Sequence, residues 1–82
     1  MSRRLLASHE YSFTVLYERI GKSGFQVTVP SLPGLVTYGR TFDEARTMAR
    51  DAIRCHVGGL QRDEETIPDE QSIIQEHVTV HV

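Results

Sequence analysis

Four histidines, one cysteine and eleven acidic residues are the groups in this 82-residue chain that could hold a metal or attack a substrate. His77 and His81 share one face of an alternating C-terminal run, where a strand rise of about 3.3 Å per residue sets them ~13 Å apart. Zinc–nitrogen bonds are only about 2.0–2.1 Å, so these two cannot share an ion within one chain. His56 falls inside the apolar side of a helical stretch and reads as a packed, hydrogen-bonded core histidine. His9 belongs to an N-terminal stretch expected to be flexible. Cys55 adjoins His56, but neighbours on a helix point about 100° apart, which disfavours a thiol–imidazole pair. Two-cation phosphoryl transfer needs several converging carboxylates. Thr14, Val15 and Leu16 occupy the centre of the first strand, and Asp43 and Asp51 lie ~12 Å apart along a helix. No catalytic residue, cofactor or metal ligand is therefore assigned.

Arg46, Arg50 and Arg54 recur every fourth residue and form a row on a helix flank. Such a row can face a partner or a phosphate. It can also be a solvated face laced by Asp43–Arg46 and Asp51–Arg54 pairs, each contributing a few tenths of a kcal/mol, and this second reading is preferred. Gly21-x-x-Gly24 is a turn, because no helix opening with Lys-Ser or Lys-Thr follows it.

The elements that would position these groups follow from periodicity. Tyr11, Phe13, Val15 and Tyr17 alternate with Ser12, Thr14 and Glu18, which predicts a strand over Tyr11–Arg19 with one face on a core. Gly21–Gly24 turns the chain into a second strand with Phe25, Val27 and Val29 inward. Pro33-Gly34 fits the centre of a type II turn, and Leu35–Tyr38 forms a short third strand. Thr41-x-x-Glu44 is a capping box opening a helix expected over Phe42–Gln61. Its apolar side is shallow, carrying Ala45, Ala49 and Ala52 beside Ile53, Val57 and Leu60. Gln75–Val82 alternates again, with Val78, Val80 and Val82 on one face, and predicts a fourth strand. A right-handed crossover would carry it beside the first strand.

The expected fold is thus α+β, a two-layer βββαβ domain with a four-stranded mixed sheet of order 3-2-1-4 and one helix on one face. The other sheet face keeps Ser12, Thr14, Gln26 and Thr28, with Leu16 the apolar exception, and can meet water or a partner. Residues 1–82 make a single domain, with residues 1–10 expected to be flexible.

Composition bounds the function. The chain is 39% hydrophobic and 24% charged, as in an ordinary globular domain. No apolar run approaches the ~20 residues of a membrane helix and no signal peptide precedes residue 11, so a cytoplasmic protein without a membrane partner is expected. One cysteine excludes an internal disulfide framework. The net charge is only −2, but residues 1–62 hold all nine Lys/Arg against five acids, whereas residues 63–82 hold six acids and no Lys/Arg. Neither part is basic enough for a dedicated nucleic-acid binder, and the acidic end suits a basic partner.

Several of these pieces occur together as one run. Phe13-x-Val15, Gly24-Phe25-x-Val27-x-Val29-Pro30, Leu32-Pro33-Gly34-Leu35-Val36-Thr37-Tyr38-Gly39 and Thr41-x-x-Glu44-Ala45 closely resemble the HicB antitoxin domain over about Tyr11–Pro68. Members often carry an acidic residue at the place of Ser31 and a cysteine at that of Leu35. The resemblance implies a partial ribonuclease H-like fold and an antitoxin role in a type II toxin–antitoxin system. It also implies a partner, a small basic HicA-like toxin that cleaves mRNA and is occluded by contact. Many such antitoxins append a helix-turn-helix or ribbon-helix-helix module. Only 20 residues follow Arg62, so direct DNA binding is not expected.

The residues expected to meet the toxin are Glu64, Glu65, Asp69, Glu70 and Glu76, on the charge segregation alone. Homo-oligomerisation, to a dimer or tetramer, is expected because a half-covered sheet with free edges must be managed. The rival from another class is a stand-alone homo-oligomeric structural or small-ligand module without a toxin. A neighbouring reading frame for a short basic protein separates the two. A metal-dependent nuclease is a distant third, for want of carboxylates.

Overall fold

The computed structural model describes residues 10–70 and 72–82. His9 and most of the N-terminal stretch expected to be flexible lie outside the described residues. Four elements follow in order: β1 (Leu16–Arg19), β2 (Phe25–Thr28), β3 (Val36–Gly39) and α1 (Phe42–Arg62). The strands form an antiparallel sheet of order β1-β2-β3, with Tyr17 opposite Val27 and Val27 opposite Thr37.

This corrects the expected four-stranded mixed sheet of order 3-2-1-4. Gln75–Val82 forms no strand among the described residues, and Val78 and Val80 are each 70% exposed. Alternation specifies which face of a strand is apolar, but it names no edge for the strand to join. β1 is also shorter than expected. Its ladder partner would continue into Val29-Pro30, but Pro30 has no N–H, and Leu32 N–H turns back to the Val29 carbonyl at 2.9 Å. Residues 11–15 therefore run beyond the sheet without a ladder.

The turns obey the sequence more closely. Leu35 N–H donates to the Leu32 carbonyl at 3.1 Å across Pro33-Gly34, and Gly34 has φ +90°, the left-handed value that a type II turn demands. At α1, Thr41 Oγ1 accepts from Glu44 N–H at 3.0 Å, while the Glu44 carboxylate reaches one residue further back than a standard capping box, to Arg40 N–H. Gly39 lets the first turn of α1 lie against β3: a Cβ there would come within 2.3 Å of Ala45 N. The helix closes with Glu64 N–H on the Gln61 carbonyl (3.1 Å) and Glu65 N–H on the Leu60 carbonyl (2.8 Å), the two bonds of a Schellman motif. Glu64 holds the left-handed position at φ +56°, where glycine is the easier occupant.

The core has two adjoining parts. Val27, Ala45 and Ala49 are buried with Val15, Tyr17 and Phe25 packed around them, so the alanines do let the helix sit close to the sheet. Val29, Leu32 and Leu35 form the second part, against Phe13, Ile53 and Leu60. Leu32, inside a turn and next to Pro33, is 1% exposed and plugs the end of the layer. Phe42 sits edge-on to Tyr17 and Phe25, with ring centroids 4.9 and 5.6 Å away.

Candidate functional site

Two surfaces carry the charges singled out in the sequence. The first is the acidic segment after α1. Its reversal through Glu64 presents Glu64, Glu65 and Asp69 exposed, and Glu76 is exposed further on. Glu70 is different. It is half-buried, and its carboxylate accepts from Thr14 N–H (2.9 and 3.0 Å), from Thr14 Oγ1 (2.6 Å) and from Ser31 Oγ.

These bonds reach from the segment to the approach of β1 and to the Pro30–Gly34 turn, so one side chain ties residues 39 and 56 positions away in sequence. Hydrogen bonds to the ionised form, from Ser31 first and then from the hydroxyl and N–H of Thr14, hold the Glu70 carboxyl below the usual carboxylate range. The structure thus presents Glu64, Glu65, Asp69 and Glu76 outward, and turns Glu70 inward as a clasp. Sequence reasoning missed this inward role, because a long-range clasp leaves no local pattern.

The second surface is a groove of about 390 Å³ between the β1 approach and the flank of α1. Phe13, Val15 and Tyr17 form one side, Ala49 and Ile53 the floor, and the Arg46–Arg50–Arg54 row the far rim. Of the two ion pairs expected along that row, Asp51–Arg54 is present at 3.6 Å between well-exposed side chains. Arg46 instead lies over the Phe42 ring at 5.9 Å, and Arg50 has no partner among the described residues. Two helix-facing aromatics, Tyr11 and Phe13, stack at 6.5 Å beside it.

No three His, Cys, Asp or Glu side chains among the described residues are placed to hold a metal ion. His77 and His81 are exposed on the C-terminal run, His56 is half-buried on α1, and Cys55 is a free, exposed thiol. Among the described residues no helix is long and apolar enough to cross a membrane. What the chain offers other molecules is a pair of oppositely charged surfaces on a small sheet-and-helix layer.

The family model described as the HicB-like antitoxin of bacterial toxin–antitoxin systems matches residues 13–81, and this chain belongs to that family. The family is one of antitoxins, not of enzymes. The chain is 35% identical over 69 residues to the UPF0150 protein Ta0767 of Thermoplasma acidophilum, covering 84% of this chain and 96% of that protein. It is 33% identical over 63 residues to an uncharacterized 14.9 kDa protein from the rep-hol intergenic region of Haemophilus phage HP1, covering 77% of this chain and 47% of that one. The chain thus spans about half the length of its phage relative. No solved structure matches it.

Proposed function

We propose that this chain is a cytoplasmic, self-associating antitoxin that binds a small basic HicA-like ribonuclease and covers the surface with which the toxin holds mRNA. The family match over residues 13–81 carries this reading. The segregation of six acids and no Lys/Arg into residues 63–82 supports it physically. Glu64, Glu65 and Asp69 meet the cationic toxin surface, while Glu70 holds the segment that presents them and Glu76 follows at the start of the C-terminal run. Electrostatic complementarity of this kind chiefly raises the association rate and fixes orientation; apolar anchors supply most of the affinity.

Co-expression with the protein encoded next to it, followed by co-purification and growth rescue, tests the assignment. A stable complex and restored growth are expected. Failure of both removes the toxin partner from the account. Changing Glu64, Glu65 and Asp69 to Gln, Gln and Asn is expected to slow association about tenfold at low salt, with a smaller effect at high salt. An unchanged rate removes the electrostatic part alone.

A further inference from the structure

Both an open sheet edge and an unattached apolar run occur in the same molecule. Gln75–Val82 lies outside any helix or strand with Val78, Val80 and Val82 exposed, and its alternation would put those valines and Glu76 on one face of an extended strand. Beside β1 the sheet has no further strand among the described residues, and the groove next to that edge is lined by Val15, Tyr17, Ala49 and Ile53. An exposed edge of this kind is a template for another chain. The groove's rim is cationic through Arg46, Arg50 and Arg54, whereas everything charged after Arg62 is acidic.

We propose that the groove receives the Gln75–Val82 arm of a second copy of this chain. The arm lies along β1, its valines enter the groove and Glu76 faces the arginine row. The alternation fits: with the valines toward α1, His77, Thr79 and His81 join the open sheet face that holds Leu16 and Glu18. In the isolated chain the Glu70 clasp fixes the start of the arm at Thr14, while the arm itself stands clear of the fold. A second copy fills both vacant surfaces without undoing that clasp. Exchange in both directions gives a closed two-fold dimer in which each chain's arm covers the other's edge. The inference rests on the self-association put forward above and specifies its surfaces; it is independent of the toxin.

The test uses the full chain. A Cys55→Ser chain labelled with nitrogen-15 is mixed with an unlabelled Cys55→Ser/Thr79→Cys chain carrying a nitroxide, and sedimentation gives the size of each species. Expected are a dimer and broadening of the amide signals of Val15, Tyr17, Ala49 and Ile53 between chains. Val80→Lys, at a position exposed in the single chain and so without cost to its fold, is expected to weaken the dimer about tenfold or more. A dimer that ignores Val80→Lys, or that broadens Val36 and Tyr38 on the open sheet face, overturns arm exchange while leaving self-association standing. Broadening found only within a doubly labelled chain diluted in unlabelled protein overturns it as well. A full chain that stays monomeric overturns both.

Discussion

The layer formed by β1–β3 and α1 and the acidic segment after Arg62 are held by different physics. In the layer, Val27, Leu32 and Ala45 are at most 1% exposed, and stability comes from apolar area removed from water and from close packing. In the segment, Ile74, Val78 and Val80 remain in solvent, and the visible attachments are the helix-closing bonds at Glu64 and Glu65 and the Glu70 clasp. A packed layer tolerates little change at its buried positions. A segment attached through hydrogen bonds, the Glu70 clasp among them, leaves Glu64, Glu65 and Asp69 exposed to partners. The toxin contact proposed above uses both: a fixed platform and an acidic stretch left available to another protein.

The largest test of this division is Leu32→Ala. It is expected to destabilise the layer by about 2–5 kcal/mol in denaturant titrations, because a fully buried leucine leaves a cavity that the surrounding turn can only partly close. A cost below about 1 kcal/mol would mean that the Pro30–Gly34 turn is not part of the core.

Glu70→Ala probes the other region and is expected to cost about 1–2 kcal/mol. Amide exchange at Thr14 should rise sharply, while Val27 and Ala49 stay protected. Equal loss of protection at all three would erase the distinction between the regions.

The same clasp sets a pH dependence whose sign is fixed by the depressed Glu70 carboxyl. A group with a lowered folded-state value adds stability above its unfolded value and loses it as the pH falls through the folded one. The segment should therefore stay attached from neutral pH down through the ordinary glutamate range and detach only below it. Carbon-13 chemical shifts of the Glu70 carboxyl and the Thr14 amide should follow one titration curve, and Glu70→Gln should abolish it. The smallest effect is at the helix end, where Glu64→Gly relieves a left-handed glutamate and should add up to about 1 kcal/mol.

The sequence disclosed the layer much better than the segment. Thr41 and Glu44 announced the start of α1, and Pro33-Gly34 announced its turn, because caps and turns are local choices written in neighbouring residues. The odd-numbered residues from Phe13 to Tyr17 announced the inward face, but not that pairing would stop at Leu16, which depends on Pro30 across the hairpin. Leu32 was hidden by the prolines around it; an apolar residue amid turn formers was the available signal. For Gln75–Val82 the alternation predicted a strand that does not form among the described residues, because nothing in a single segment names an edge for it to join. Five acids were legible as a group, but only three-dimensional contacts separate Glu70, turned inward onto Thr14 and Ser31, from Glu64, Glu65 and Asp69 on the surface.

The central claim is that this chain acts on a ribonuclease by covering it. RNA cleavage by a purified HicA-like toxin, measured while this chain is added, tests that most directly. Cleavage is predicted to fall in proportion to added chain and to vanish once the toxin is saturated, with no cleavage by this chain alone. Undiminished cleavage at saturating chain, or degradation of RNA by the chain itself, would contradict it.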